Sequence, residues 1–278
     1  MSLTKFIINR CQEAQNDLRT TKELIGLALT ENDEDAAWEA VTVLHFRGNR
    51  EVFEAARKLC ESGNSKERKL AADILGQLGI PDRTFPDESL AVLFKLLDND
   101  TNIDVLNAVG VALGHINDPR AIEPLVRLKK HPSEDVRYGV VFGLLGHENE
   151  LAIKALIDLS SDENEDVRNW ATFGLGSQIN TDTKEIREAL WQRIDDNNDE
   201  IRGEALVGLA IRRDERVVSH LIEELSSECV GLLAIEAAKE IGNTKLYPAL
   251  MQLKKWWEVN DDLLEEAISS CKGEPEGK

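Results

Sequence analysis

The chain has 278 residues, 42% of them apolar and 31% charged, enough hydrophobic content to fill a core and to exclude disorder as its main state. Its 33 Lys and Arg against 52 Asp and Glu leave a formal net charge of −19, a field that repels nucleic acid and anionic lipid and draws in basic partners. No apolar run approaches the roughly 20 residues needed to cross a bilayer, the opening MSLTKFIINRCQEAQ lacks the apolar stretch of a secretion signal, and Cys11, Cys60, Cys229 and Cys271 form no paired motif. A soluble, cytoplasmic protein with reduced thiols is expected.

After a leading segment, residues 1–19, expected to act as a cap, one pattern recurs along the chain. It reads EDAAWEAVTVLH from Glu34, SKERKLAADILG from Ser65, NIDVLNAVGVALG from Asn102 and SEDVRYGVVFGLLG from Ser133. It continues as EDVRNWATFGLG from Glu165, DEIRGEALVGLA from Asp199, GLLAIEAAKEIG from Gly231 and DDLLEEAISSCKG from Asp261. Aligned on one slot (Ala37, Arg68, Leu106, Arg137, Arg168, Arg202, Ala234, Leu264), the copies are spaced by 31, 38, 31, 31, 34, 32 and 30 residues. The long spacings hold turn-rich insertions, GIPDRTFPDES and SQINTDT, so the length changes fall in loops.

Each unit reads as two helices joined by a polar turn. Over Pro119 to Lys130, Ile122, Leu125, Val126 and Leu128 make a short amphipathic helix with Asp118 as N-cap and Pro119 at its first position. The turn His131 to Asp135 follows, and Val136, Val140 and Leu144 then mark the buried stripe of a second helix. The small residue three places after the register slot (Ala40, Ala71, Val109, Val140, Ala171, Ala205, Ala237, Ala267) lets second helices pack closely, and Gly76, Gly114, Gly176 and Gly242 suit helix exits. One unit cannot bury its stripe alone, whereas a stack can. The expected fold is all-α: a right-handed superhelical solenoid of about eight two-helix repeats over 1–272, with a capping repeat at 245–272 and a disordered tail at 273–278.

The D-V-R-x-x-A-x-x-x-L-G pattern resembles the short HEAT-like repeat of phycobilisome lyases, from about Thr20 to Lys272. The run from DVRNWATFGLG through IRGEALVGLAIRRDERV to EAAKEIGNTKLYPAL is similar to the bacterial YibA-like family. That resemblance implies a protein-binding scaffold with an adaptor or immunity role. Other HEAT-like proteins leave open an enzyme or enzyme subunit, a bilin lyase-like factor or a DNA glycosylase.

Catalytic chemistry has no positive signal in the residues. The acidic turns around Asp98, Asp100 and Asp104, Asp162 to Asp166 and Asp195 to Glu200 contain D-x-N-x-D, but Val167 and Glu200 stand where a calcium loop needs Gly, and Phe173 and Leu206 where it needs Glu. Their expected role is to satisfy helix N-termini. Arg68, Arg137, Arg168 and Arg202 recur near Asp98, Asp162 and Asp196, as expected for an arginine–carboxylate ladder between repeats rather than a phosphate grip. His45, His115, His131, His147 and His220 are scattered, with no metal-binding spacing, phosphate loop or nucleophile–base motif, so no catalytic residue, metal or cofactor is assigned.

The resemblance places the second helices on a concave face, and slots one, two, five and nine after the register are then expected to project from it. They bring Tyr138, Phe142, Trp170 and Phe173 to its middle, with Asn169 beside them and Trp38, Phe46 and His115 earlier in the chain. These eight are the candidate partner-binding residues, since a few aromatic anchors commonly supply most of an interface's affinity. Gly139, Gly143 and Gly174 are expected to make room beside the rings. Lys69 and Lys239 against Glu39, Asp73, Glu204 and Glu236 make the face acidic, which suits a basic polypeptide and not DNA. Trp256 and Trp257 are expected on the penultimate helix, sealing the last apolar stripe of a monomer.

Overall fold

The computed structural model describes residues 3–259 and 261–273. Among them lie seventeen α-helices and no strand. In chain order they are α1 (Leu3–Asn16), α2 (Thr21–Thr30), α3 (Glu34–Arg47), α4 (Arg50–Leu59), α5 (Ser65–Gly76), α6 (Pro86–Asn99), α7 (Ile103–Ile116), α8 (Ile122–Val126) and α9 (Glu134–Leu144). Then come α10 (Glu150–Leu159), α11 (Glu165–Phe173), α12 (Lys184–Trp191), α13 (Asp199–Ile211), α14 (Val217–Leu225), α15 (Leu232–Ile241), α16 (Tyr247–Leu253) and α17 (Asp261–Cys271). From α2 onward they form eight pairs, the α-solenoid class expected from the repeat. Contacts divide the chain into two units, up to Leu144 and from Leu145. Residues 274–278 of the expected tail lie outside the described residues.

A shared turn explains why each second helix begins where it does. Asn64, Asn102, Asn164 and Asn198, four places before the register slot, cap α5, α7, α11 and α13 by accepting from backbone N–H groups at 2.9–3.2 Å. Two places earlier, Asp100, Asp162 and Asp196 accept from the cap residue's own N–H at 2.9–3.2 Å, and His131 Nδ1 does the same for Ser133. The register arginines close the turn: Arg68, Arg137, Arg168 and Arg202 each donate Nη1 to the carbonyl six residues back, at 2.8–2.9 Å. Arg68 reaches on to Asp100 at 2.6 Å and Arg168 to Asp196 at 2.8 Å, tying repeat to repeat within each unit. The carboxylate expected for Arg68 was Asp98; that residue is exposed, and Asp100 holds the brace position. Arg202 pairs instead with Asp199 and Glu224.

In the first unit α5 packs on α7 and α7 on α9; in the second, α11 packs on α13, α13 on α15 and α15 on α17. The eight small residues of the third slot are all at most 1% exposed. Gly76, Gly114 and Gly176 are not exits but contact points. A Cβ on Gly76 would stand 2.7 Å from Ala112 Cα, one on Gly114 2.6 Å from Phe142 O, and one on Gly176 3.0 Å from Glu204 O. Only Gly242 of the four takes the left-handed exit, φ 60°. Both insertions are structured. Arg83 donates to Gly76 O and His115 O at 2.8 and 2.9 Å, and Phe85 stacks beside Phe53 at 5.4 Å, covered by Arg50. In the second, Gly174–Gln178 makes a wide helical turn whose carbonyls, with those of Ile179 and Thr181, receive buried Arg212.

The first helices are shorter than their apolar pattern suggests. α8 is a single stretch, Ile122–Val126, after a tight turn at Pro119–Ala121 capped by Asp118. The expected continuation to Lys130 becomes turns closed at three-residue spacing, such as Leu128 N to Leu125 O at 2.9 Å. Trp256 and Trp257 likewise follow α16 rather than lie on it; Trp256 is 50% exposed and Trp257 half-buried.

Helix packing yields a direct contrast. A Cβ on Gly110 would sit 2.5 Å from Gly139's carbonyl group, whereas one on Gly26 in α2 meets nothing within 4 Å. Gly110→Ala should therefore destabilise by about 2 kcal/mol despite better helix propensity, and Gly26→Ala should stabilise by up to about 1 kcal/mol. Urea unfolding of both variants checks the pair.

Candidate functional site

The second helices present the candidate residues, and their backbones meet so closely that the slots divide. Slot two turns inward at Leu70, Ala108 and Gly139, and slot one at Gly203 and Ile235, against the expectation that both project. The reason is the approach itself: a Cβ on Gly139 would stand 2.8 Å from Asn107 O, and one on Gly203 2.6 Å from the Leu233 side chain. Gly139, Gly143 and Gly174 likewise serve helix contacts rather than the rings. Gly143 faces Leu125 and Gly110 O, Gly174 faces Leu145, and Gly114 is the residue that clears space for Phe142.

In the first unit, Trp38 is half exposed and meets His45 edge-on at 6.1 Å. Phe46, His115, Tyr138 and Phe142 are half-buried, and the His115 and Phe142 rings form a T-shaped pair at 5.3 Å. In the second unit, Asn169, Trp170 and Phe173 are half-buried, with Trp170 and Phe173 T-shaped at 5.6 Å. The rings are thus neither sealed in a core nor standing free.

The second unit adds a feature with no signature in the sequence. Asn169 Nδ2 donates to Glu200 at 3.1 Å and Ser177 Oγ to Glu204 at 3.4 Å. Residues 169, 173 and 177 follow at fourfold spacing, so Phe173 lies between two points where its helix touches the carboxylates of α13. Burial pushes the Glu204 carboxyl up to about 7; the Ser177 hydrogen bond opposes this, and Glu236 and Glu200 add to it. Asn169 Oδ1 is buried with no hydrogen-bond partner. Acceptors outnumber donors here, and among the described residues no Lys or Arg pairs with Glu200 or Glu204.

Two other buried ionisable groups are accounted for by structure. His45 Nε2 donates to Asp73 O at 2.9 Å, and burial, with Arg83 and His115 nearby, pulls the imidazole down to about 4 although that hydrogen bond opposes it. Arg212 makes five hydrogen bonds, to the carbonyls of Leu175, Gly176, Ile179, Thr181 and Gly208, at 2.7–3.1 Å. No group of three His, Cys, Asp or Glu placed to hold a metal occurs among the described residues, and no helix among them is long and apolar enough to cross a membrane.

Stacked helix pairs with an arginine-closed turn and a small-residue seam define a HEAT-repeat solenoid, and the family model described as HEAT repeats matches residues 82–145 and 153–242. The chain belongs to this family, in its YibA-like branch. It is 30% identical to YibA of Escherichia coli K12 and to YibA of Escherichia coli O157:H7, over 303 aligned positions covering 96% of this chain and 94% of each relative. The X-ray structure of Escherichia coli YibA superposes with a TM-score of 0.75 at 27% identity, covering 98% of this chain and 97% of that one.

The two shifted groups act oppositely with pH. His45, depressed from 6.5 to about 4, favours the folded state above 6.5, and that contribution of about 3 kcal/mol is lost as pH falls through about 4. Glu204, raised from 4.5 to about 7, favours the folded state below 4.5, and its contribution is lost as pH rises through about 7. Urea midpoints measured across this range should show His45→Gln flattening the acid limb and Glu204→Gln the neutral limb.

Proposed function

We propose that the protein is a non-enzymatic interaction scaffold that takes a basic polypeptide on its second helices, centred in the second unit on Trp170, Phe173, Glu200, Glu204 and Glu236. The observation that carries the reading is the half-buried Glu204, whose charge is opposed by burial and by two neighbouring carboxylates and met only by a long hydroxyl hydrogen bond. A lysine or arginine from a partner would supply the missing donor and charge, and Asn169 Oδ1 offers a further acceptor. The neighbouring rings would add apolar area and a face for the cation.

Charge distribution supports the same centre. Residues 1–144 hold 18 Lys and Arg against 23 Asp and Glu, net −5, while residues 145–278 hold 15 against 29, net −14. Such a field speeds encounter with a basic surface and opposes a phosphate backbone. The finer form of the proposal is an adaptor or immunity role, the one the resemblance to the YibA-like family implies, in a protein proposed to be a cytoplasmic monomer.

Titration of the whole protein with an oligoarginine peptide tests the reading by calorimetry. Saturable binding that weakens with salt, and weakens about tenfold, ~1.4 kcal/mol, in Trp170→Ala and in Glu204→Lys, is expected. Equal affinity for an oligoglutamate peptide, or unchanged affinity in both variants, would overturn it.

A further inference from the structure

A second candidate site lies wholly within the first unit. Between α3 and α5 a cavity of about 780 Å³ opens on the second-helix side, within the range of about 300–1,000 Å³ usual for ligand clefts. Val41 and Leu70, both buried, form its floor, and Trp38 stands in its wall with half its surface exposed. Glu34, Asp35 and Asp104 are exposed at its edge and have no ion-pair partner among the described residues, while Lys69 is occupied by Asp73 at 2.9 Å, leaving Lys66 as the single unpaired cation.

Local structure does not consume these groups. Asp33 already caps α3, accepting from the N–H groups of Asp35 and Ala36 at 3.0 and 3.3 Å, and Asn102 already caps α7. Glu34, Asp35 and Asp104 thus add dipole stabilisation of a few tenths of a kcal/mol to about 1 kcal/mol each, which accounts for their positions but not for a large ring held over an open apolar floor. An exposed tryptophan beside buried aliphatic surface, rimmed by charge of one sign, has the composition of an anchor pocket.

We propose that this cavity binds a short polypeptide segment bearing a large apolar side chain flanked by arginine or lysine. The apolar side chain covers Val41 and Leu70 beside Trp38. The flanking cations pair with Glu34, Asp35 and Asp104, and an arginine can lie over the Trp38 face. The inference rests on the reading that the second helices receive a basic polypeptide, but it engages residues separate from the Trp170 centre. It also adds a requirement absent there, an apolar anchor between the cations.

The test titrates the whole ¹⁵N-labelled protein with the synthetic peptide Ac-Arg-Arg-Leu-Phe-Arg-Arg-NH2 and follows the indole N–H resonances of Trp38 and Trp170, which report the two sites separately. A saturable shift of Trp38 is expected. It should be lost when Leu-Phe becomes Ser-Ser or the arginines become glutamates, and should need about tenfold more peptide in Asp104→Lys, an exposed position whose change leaves the fold intact. A Trp170 shift with no Trp38 shift overturns this inference and leaves the proposed function standing. A Trp38 shift alone supports it and moves the binding centre out of the second unit, and a shift of neither overturns both. Equal response to the Ser-Ser or glutamate peptide overturns the pocket's stated chemistry.

Discussion

The distance between neighbouring second helices governs what this protein can present. At Gly110 and Gly139, and again at Gly176 and Gly208, the backbones approach until a single Cβ would collide with main-chain atoms. Approach that close removes whole slots from the surface: Leu70, Ala108 and Gly139 vanish into the seam. What remains visible is a sparse set of side chains on each helix. The rings among them, Phe142 beside His115 and Trp170 beside Phe173, are gripped edge-on and half-covered by their neighbours. A ring already held in one orientation loses little rotamer freedom when a partner covers it, so tight packing also lowers the cost of binding.

The same economy sorts the carboxylates. Asp100, Asp162 and Asp196 brace the turns, with Arg68 and Arg168 reaching from the preceding repeat to the first and last, and Asp214 is enclosed by Arg187 and Arg216. These groups exhaust their charge on the scaffold. Glu200, Glu204 and Glu236, on α13 and α15, belong to a different population: none has a Lys or Arg partner among the described residues. The bulk negative charge is not spread evenly between the units: the second, which also holds the Trp170–Phe173 pair, carries most of it.

How far the sequence was legible follows the range of the interactions. The thirty-residue register could be read because a small residue, alanine in six copies and valine in two, fills the same slot throughout and arginine holds the register in four of the eight, and both act within one turn or one neighbour. An aliphatic residue followed by Gly at a helix end could not be read uniquely: at Ile241-Gly242 it is an exit, while at Leu75-Gly76 and Leu175-Gly176 it is a contact, and only the adjacent backbone decides. Asp98 and Asp100 are two residues apart with the same chemistry, and the choice between them depends on which can also accept from Asn102 N–H. Arg83 and Arg212 reach carbonyls more than thirty residues distant, and the Glu204 environment is assembled from three helices, so neither leaves a local pattern. The eight aromatic and polar candidates were legible as positions on a helix face, but their half-buried state depends on how near the next helix stands.

Two ionisable residues, Arg212 buried and Glu204 half-buried, differ in how far the fold compensates them. Arg212 is buried, and burial opposes its charge, but five carbonyl oxygens surround the guanidinium. Its desolvation is offset within the fold, and its role ends there. Glu204 is held against the same kind of helix seam with one hydroxyl at 3.4 Å and two further carboxylates close enough to raise its affinity for a proton. A half-buried carboxylate left uncompensated by its own chain lowers stability once it ionises, and a glutamine would relieve that cost. Natural sequences tend to break a local rule of this sort where the missing half of the interaction is delivered from outside. On the proposed reading, the complement of that deficit is a positively charged donor supplied by a partner.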